Sequence, residues 1–492
     1  MRILIQPIIS SVDLATDSTM VMWADFIKNC LRMRDDLWFY VLLPKGYENY
    51  EFVESLPKTT LVVEERKRRR FFEEIDMVDM DTVYRLFNMR TGIYPIDAVI
   101  TEKTGIALLM QKLISDIRYA KEEDYVKVPV VIVEDRAWSR TKGHQFVDWQ
   151  EFALRALSYS CLRSVVLTSF EKDEVIDASK QYVSPALLRR LKENVTVINL
   201  GIPLENVDRA VKGVKKREKF TLFWGGRLSA QKRPFFVLEQ FLKMFEGGRD
   251  VDIVVTTPHV ASIKFAKKLD EYMRRYSGLK IMFDVGRDEY LRLCASSHVW
   301  MSASLHEGFS VGMCEMMATG VPGIVPRRPW SVEMLGEDYE LFYDPRSFEE
   351  AATLLRWVYE NYDEAVEIGR RTRERVIKKF DNRMFADMLL ARVEEEVLRN
   401  RSLVEKFIVN ESSKVGQTVV MLADRFEKMG IDEFSLHELA YEFKKFSYGG
   451  ISFDDGARMQ DPSLWDIRQF LMSMGYVDLC DSEVPRFRRE ET

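Results

Sequence analysis

The stretch "HVWMSASLHEGFSVGMCEMMATGVPGIVP" (298–326) decides the fold class of this chain. The apolar runs at 298–304 and 321–326 each predict a buried strand. Between them, "LHEGF" (305–309) predicts a turn, and 310–319 predicts a helix that Gly320 ends. Two strands joined through a helix are the repeating unit of a parallel sheet, so this stretch predicts an α/β protein.

The same alternation of strands and helices extends outward from this stretch. A first series of strand-like runs lies at 2–9, 38–44, 59–65, 97–102, 128–135, 164–169 and from 194. The first helix is predicted at 18–34, with Ser18 as its N-cap. A second series lies at 220–226, 251–257, 280–286, 298–304 and 321–326, and Pro234 suits the first turn of the helix at 234–245. Apolar strands that alternate with helices indicate parallel sheets covered on both faces.

Two successive series predict two doubly wound, Rossmann-like domains that face a cleft. We expect the domains at 1–200 and 201–383, a closing helix at 384–400, and a small, mostly helical extension at 401–492. The charged stretch at 209–219 reads as a linker between the domains. Ligands of doubly wound sheets bind at the carboxyl ends of the strands, so the cleft is the expected site.

The composition narrows the class of protein. The 492 residues are 46% hydrophobic and 30% charged, which is typical of a soluble globular protein, and the net charge of -6 does not favour a polyanionic partner overall. The five cysteines are far apart and form no C-x-x-C motif, so we expect neither disulfides nor a zinc site. The start is too short for a signal peptide and no apolar run reaches the length of a membrane span. A cytoplasmic protein is expected, in the host cytoplasm if it is viral.

The opening stretch also carries the first candidate site residues. Gly308 allows a ligand to approach the backbone, and Ser310 is placed to cap the helix that follows it. The amino end of that helix suits a phosphate because its N–H groups are unpaired. Carboxylates beside a phosphate would repel it unless they face hydroxyl groups, so Glu307 and Glu315 indicate a sugar on either side of the phosphate.

A second loop supplies the matching positive charge. In "FWGGRLSAQKRP" (223–234), Gly225 and Gly226 permit a tight turn after a strand. Arg227 and Lys232 then bring two cations to the carboxyl end of the same sheet. Such a pair can neutralise a departing diphosphate.

Together these two loops resemble the retaining GT-B glycosyltransferases, the superfamily that includes glycogen- and sucrose-synthase-like enzymes. The R-x4-K pair of that family falls on Arg227 and Lys232, and its E-x7-E pair falls on Glu307 and Glu315. The likeness is good over about 195–395, reaches only the fold over 1–194, and is absent from 401 onward. It implies transfer of a sugar from a nucleotide-sugar, a UDP-sugar in the first instance, with retention of configuration and without a metal or other cofactor.

The resemblance also implies roles for particular residues. The first glutamate is expected near the donor sugar hydroxyls, the second near the ribose, and Val285, Gly286 and Arg287 near the base. The donor-binding candidates are Gly226, Arg227, Lys232, Gly286, Arg287, Glu307, Gly308, Phe309, Ser310 and Glu315. Two departures from the family pattern stand out: Ser310 replaces a glycine, and the loop after the first strand (7–20) has none.

The acceptor side is less determined. The candidates there are Ser11, Asp13, Glu134 and His144, and Asp135 joins Glu307, Arg227 and Lys232 as a catalytic candidate. The alternative for Glu134 and Asp135 is a structural pairing with Arg136 or Arg140. The "DMD" at 79–81 mimics the metal-binding D-x-D of another glycosyltransferase fold, and we expect it to bind no metal.

Two further segments bear on the acceptor. "ERKRRRFF" (65–72) could hold phosphates of a nucleic acid or of a lipid headgroup, or be a solvated face balanced by nearby glutamates. The helices and hairpin predicted in 401–492 resemble a winged-helix module, but 12 Lys and Arg against 17 Asp and Glu disfavour a grip on phosphates. Three readings therefore stay open: transfer to a hydroxymethylpyrimidine in DNA, transfer to a surface glycan or lipid-linked sugar, and a non-catalytic binding protein on the same scaffold.

Overall fold

The structure is a computed structural model that describes most of the chain. The described residues are 1–9, 11–68, 79–87, 96–118, 128–134, 149–247, 250–257, 263–402, 414–436, 438–439, 442, 464–481 and 485–489. They form two parallel sheets, each with helices packed on it, and one small antiparallel sheet.

The first domain is built on a seven-stranded parallel sheet in the order β3-β2-β1-β4-β5-β6-β7. Its strands are β1 Arg2–Gln6, β2 Trp38–Lys45, β3 Thr59–Lys67, β4 Ala98–Thr101, β5 Val130–Glu134, β6 Ser164–Val166 and β7 Val195–Val197. All seven predicted strands are confirmed, with shorter ends in several cases. β1 stops at Gln6 instead of residue 9 because Pro7 has no N–H for the ladder.

The second domain repeats the design with six parallel strands in the order β10-β9-β8-β11-β12-β13. These are β8 Phe220–Gly225, β9 Val251–Thr257, β10 Leu279–Phe283, β11 Val299–Met301, β12 Gly323–Pro326 and β13 Phe342–Tyr343. Five of them were predicted, and β13, with two residues, is too short to leave a pattern. The fold class is thus confirmed: two Rossmann-like α/β domains face a cleft.

Helices cover the faces of both sheets. Those around the first sheet are α1 Ser18–Met33, α2 Glu51–Glu54, α3 Met80–Phe87, α4 Ala107–Arg118, α5 Trp149–Cys161, α6 Ser169–Ser179 and α7 Pro185–Asn194, with a 3₁₀ turn at Thr104–Ile106. Next come α8 Leu204–Val211, α9 Pro234–Glu246, α10 Ile263–Arg275, α11 Arg287–Ser296, α12 Val311–Ala318, α13 Pro329–Leu335, α14 Phe348–Glu360, α15 Tyr362–Lys379 and α16 Asn382–Ser402.

Two details of the sequence analysis were wrong. The N-cap of α1 is Asp17, not Ser18, because Asp17 has the extended backbone of a cap and its Oδ1 accepts hydrogen bonds from Thr19 N at 2.9 Å and Met20 N at 3.1 Å. The stretch 209–219 is not wholly a linker, since α8 runs through its first three residues. Further along, the Lys216 ammonium donates to the carbonyl of Ser297 at 2.6 Å and so packs on the second domain.

The chain crosses between the domains twice, side by side. Ile202 N donates to the carbonyl of Phe380 at 2.9 Å, and Asn382 N donates back to the carbonyl of Ile202 at 3.2 Å. Gly201 makes this approach possible, because a Cβ there would lie 2.2 Å from the carbonyl carbon of Asp381. After the second crossing α16 returns to the first domain, where Phe385 meets Phe26 with ring centroids 6.1 Å apart.

The described part of the C-terminal extension combines helices with a small sheet. It contains α17 Lys414–Lys428, β14 Glu433–Ser435, α18 Leu464–Ser473, β15 Tyr476–Asp478 and β16 Arg486–Arg489. The predicted hairpin is confirmed as the antiparallel pair of β15 and β16. β14 was not predicted, and it pairs with the other side of β16 around a core that includes Phe434 and Phe487.

Candidate functional site

The second sheet changes winding direction between β8 and β11, and the two candidate loops leave the sheet at that point. β8 and β11 are neighbours, with Leu222 opposite Val299, so the loops that follow them begin side by side at the carboxyl edge. Leu305 N donates to the carbonyl of Gln231 at 3.0 Å, and the Gln231 side-chain amide donates to the carbonyl of His306. The loops at 226–233 and 302–310 are therefore bound to each other.

One predicted cation meets one predicted carboxylate in this place. The Lys232 ammonium pairs with Oε1 of Glu307, and the Ser304 hydroxyl donates to the same oxygen. The side chain of Glu307 is 10% exposed and that of Lys232 is 22% exposed, so the pair is largely withdrawn from water. Arg227 is exposed, and within the described residues no side chain pairs with its guanidinium. Gly226, just before it, has φ of 156°, a conformation open mainly to glycine.

Helix α12 points its amino end into the same region. Ser310 occupies the N-cap position as predicted, but its side chain makes no capping hydrogen bond, which leaves the first N–H groups of α12 without that partner. Gly308 is buried, and Phe309 is fixed against Phe380 with ring centroids 5.4 Å apart. The second turn of α12 is buried, so the helix end is held rigidly beside Glu307.

The second predicted carboxylate also has a cation beside it. Glu315, only 2% exposed, pairs with the guanidinium of Arg287. Arg287 is the first residue of α11, whose N-cap is Gly286. On the same helix as Arg287, Tyr290 donates from its hydroxyl to the carbonyl of Gly312 at 3.4 Å. A Cβ at Gly225 would lie 2.5 Å from Tyr290, so glycine is needed there for this packing.

The first domain touches this site through helix α6. Its first amides, Ser169 N and Phe170 N, donate to the carboxylate of Glu333 in the second domain at 2.7 and 3.0 Å. Glu174, further along α6, has Oε2 3.6 Å from Nε2 of His306, and burial raises the pKa of Glu174 to about 7. Sequence reasoning missed both glutamates because they act across the domain boundary and no local pattern indicates that.

On the acceptor side, the structure gives Glu134 a structural environment. Its carboxylate is buried and accepts hydrogen bonds from the hydroxyls of Thr104 at 2.6 Å and Tyr159 at 2.9 Å. Arg155 lies 3.8 Å from the same carboxylate, so Glu134 does have an arginine neighbour, though not one of the two considered in the sequence analysis. Asp135 and His144, and both of those arginines, lie outside the described residues.

Ser11 and Asp13 organise the loop between β1 and α1. Asp13 accepts hydrogen bonds from Asn49 Nδ2 at 2.8 Å and Ala15 N at 2.9 Å, and the bond from Asn49 is the main reason that its pKa is lowered. Ser11 N donates to the carboxylate of Asp17 at 2.7 Å. These contacts fix the loop at the carboxyl end of β1, on the cleft side of the sheet.

The D-x-D at 79–81 has a local role. Asp79 accepts from the hydroxyl of Thr82 at 2.8 Å and from Asp81 N at 3.2 Å, which is the arrangement of a helix cap at the start of α3. Across the described ranges, no cluster of three or more His, Cys, Asp or Glu has the arrangement of a metal site. In the same part of the chain, no helix combines the length and the apolar character needed to cross a bilayer.

Comparison with known proteins gives the fold but no close relative. No family model and no curated protein sequence matches the chain. Among solved structures, Anabaena HepE in complex with UDP matches with a TM-score of 0.58 and 14% identity, over 80% of this chain and 100% of HepE. Sucrose-phosphate synthase from Thermosynechococcus elongatus matches with a TM-score of 0.61 and 13% identity, over 81% of this chain and all of that one. A glycosyltransferase from Rickettsia africae matches with a TM-score of 0.60 and 14% identity, over 81% and 99%. At these identities the likeness establishes the GT-B arrangement of two domains.

Proposed function

We propose that this chain is a nucleotide-sugar glycosyltransferase with its donor site in the second domain. The observation that carries the proposal is the buried pair of Lys232 and Glu307 at the amino end of α12. A cation, a carboxylate and helix N–H groups that the Ser310 side chain does not cap meet there, and these are the groups needed for a phosphate that is bonded to a polyhydroxylated sugar. HepE, a structural neighbour with 14% sequence identity to this chain, was solved in complex with UDP. On that likeness we propose UDP as the nucleotide of the donor.

Each residue has a role in the proposed reaction. The diphosphate binds at the amino end of α12, where Lys232 and Arg227 offset its charge as the bond to the sugar breaks. Glu307 accepts hydrogen bonds from the sugar hydroxyls, because a carboxylate only accepts. Glu315 and Arg287 hold the ribose and the base. Each carboxylate is neutralised by its neighbouring cation, which holds both side chains in place for the donor.

We further propose retention of configuration. The acceptor hydroxyl then attacks from the face that the diphosphate leaves, and a phosphate oxygen takes the proton. No side-chain base is needed for that step, which agrees with the structural environment of Glu134. Closure of the two domains limits hydrolysis of the donor by water.

We propose that the acceptor is a glycan or a lipid-linked sugar, in preference to hydroxymethylpyrimidine in DNA. The basic stretch at 65–72 begins at the end of β3, on the cleft edge of the first sheet. The described part of this stretch has both signs of charge: Arg66 pairs with Glu64 at 2.7 Å, and Glu65 pairs with Lys45 on β2. This mixed charge suits a neutral or singly charged acceptor better than a polyanion.

Release of UDP from UDP-glucose, and of the nucleotide from other nucleotide-sugars, tests the proposal. The assay is run with a sugar acceptor, with hydroxymethylated DNA, with plain DNA and without an acceptor. Replacing Lys232 or Glu307 by alanine should lower the rate by about 10²–10³-fold, as for loss of one transition-state contact. Lys243→Ala is the matched control, since Lys243 forms an exposed pair with Glu349 at 3.1 Å. Full activity of either site variant would contradict the site. Turnover with hydroxymethylated DNA alone would contradict the acceptor, and the anomeric configuration of the product decides retention.

A further inference from the structure

The C-terminal extension lies against the first domain at the edge away from the cleft. β1, β2 and β4 are parallel, so their first residues, Arg2, Trp38 and Ala98, lie along the amino edge of the sheet. The loops that follow these strands open toward the cleft at the other edge. Helix α18 and strand β15 contact the amino edge, because their side chains bond to Arg2 and to Asp97, the residue before β4.

The contact is a buried network of two arginines and two aspartates. Arg468 on α18 donates from both Nη atoms to the two carboxylate oxygens of Asp97, at 2.8 and 3.0 Å, and from Nε to Asp478 at 3.0 Å. Arg2 donates to the carboxylate of Asp478 at 3.2 and 3.3 Å, and its backbone N–H donates to Asp97 at 2.8 Å. None of the four side chains is more than 3% exposed.

The ion pairs of this network join the two parts of the chain, since Arg468 pairs with Asp97 and Arg2 pairs with Asp478. The first domain supplies Arg2 and Asp97, and the extension supplies Arg468 and Asp478. A buried charge without its partner is strongly unfavourable, so each part stabilises charges that belong to the other. Burial alone would raise the pKa of Asp478, but Arg468 and Arg2 lower it to about 2, so the carboxylate stays charged over the whole neutral range.

The described positive charge of the small sheet in the extension is paired. Strand β16 has three arginines, and each has an acidic neighbour. Arg486 lies 2.9 Å from Glu433, Arg488 lies 3.6 Å from the same carboxylate, and Arg489 lies 3.1 Å from Glu427. Cations that are paired in this way release few counterions on binding a phosphate backbone, which is the main source of affinity for nucleic acid.

We propose that the extension is an obligate part of the first domain, docked through α18 onto the amino edge of the sheet, and does not read nucleic acid. In a winged-helix protein the helix before the hairpin enters the DNA groove. Here α18 is the helix that precedes the hairpin, and its arginine, Arg468, pairs with Asp97 of the first domain. Through this contact the extension stabilises the strands that lead to the cleft. This inference does not depend on the proposed transferase activity.

Hydrogen exchange of the full-length protein, read by mass spectrometry, tests the docking. Asp97→Asn, in the first domain, should speed exchange of the amides of 464–478 by about a hundredfold, as expected for breaking a buried ion pair. Arg468→Met should do the same to β1 and β4. Arg488→Met, which breaks an exposed pair with Glu433, is the matched control. Unchanged exchange of α18 in Asp97→Asn would overturn the proposal.

Two measurements on the wild-type protein keep the proposal testable if a variant fails to fold. In a denaturant series, α18 and β1 should become exposed with the same midpoint, and earlier, independent exposure of α18 would contradict obligate docking. Fluorescence anisotropy with a labelled duplex at about 150 mM salt should show no binding. Duplex binding that Arg468→Met abolishes would show that α18 reads DNA and would overturn the inference.

Discussion

Replacing Lys232 by methionine should separate the structural role of the Lys232–Glu307 pair from its role in transfer. Methionine keeps most of the length of the lysine side chain but leaves the Glu307 carboxylate, 10% exposed, with the Ser304 hydroxyl and no cation. Breaking a fully buried pair costs about 3–5 kcal/mol, and because Lys232 is 22% exposed we expect about 2–3 kcal/mol here. For a domain of this size that lowers Tm by about 4–12 °C.

The companion variant, Glu307→Gln, should cost less. Glutamine can still accept the hydrogen bond from Ser304, and the ammonium of Lys232 can turn toward water, so about 1 kcal/mol is expected. The double variant leaves no buried charge and should recover most of the stability lost in Lys232→Met. All three variants should lose transfer activity by about 10²-fold or more, because each lacks the cation, the carboxylate or both.

Thermal unfolding followed by circular dichroism, together with UDP release, measures both effects on the same samples. Lys243→Met removes an exposed pair with Glu349 and a contact with the Phe348 ring, and it should change the free energy of unfolding by less than about 1 kcal/mol. An unchanged Tm in Lys232→Met, or a double variant less stable than that single variant, would refute the reasoning from burial. Wild-type activity in Lys232→Met would refute the donor site.

Three further variants test other contacts. Arg287→Met should weaken UDP binding about tenfold in calorimetry, since Glu315 loses its cation; unchanged affinity would exclude Arg287 from the site. The raised pKa of Glu174, about 7 against its usual 4.5, means that its contribution to stability is full below about pH 4.5 and is lost as the pH rises through 7. Glu174→Gln should therefore flatten the decline of Tm between about pH 5 and 8, and an unchanged profile would contradict this. Gly323→Ala should lower stability by at least about 1–3 kcal/mol in chemical denaturation, because its Cβ would lie 2.0 Å from the Trp300 ring; a neutral effect would contradict this packing.

The sequence predicted the two sheets because their strands are continuous apolar runs between turn signals. It also predicted that the loops after β8 and β11 lie at the same edge of the second sheet, since the carboxyl ends of parallel strands share one edge. It did not predict the direct ion pair of Lys232 and Glu307. That pair depends on how the two loops bond to each other, through the N–H of Leu305 and the carbonyl of Gln231. Such contacts depend on three-dimensional placement and leave no periodic pattern.

The contacts between distant segments were beyond sequence reasoning for the same reason. Glu333 caps α6 from the other domain, and its neighbours in the sequence give no sign of that role. The sequence around Arg468 gives no sign of burial, since a lone arginine in an amphipathic helix usually lies on the solvated face. Its burial follows from Asp97, which is 371 positions earlier in the chain.

The double crossing at Ile202 and Asp381 limits how the two halves of the molecule can move. Two peptide segments joined by hydrogen bonds form a hinge. The two domains can rotate about this hinge, but they can neither slide nor twist freely. Opening of the cleft between the domains must then break the hydrogen bonds of α6 with Glu333, and closing must re-form them with the same amides. Re-forming these hydrogen bonds restores the same relative position of the two domains.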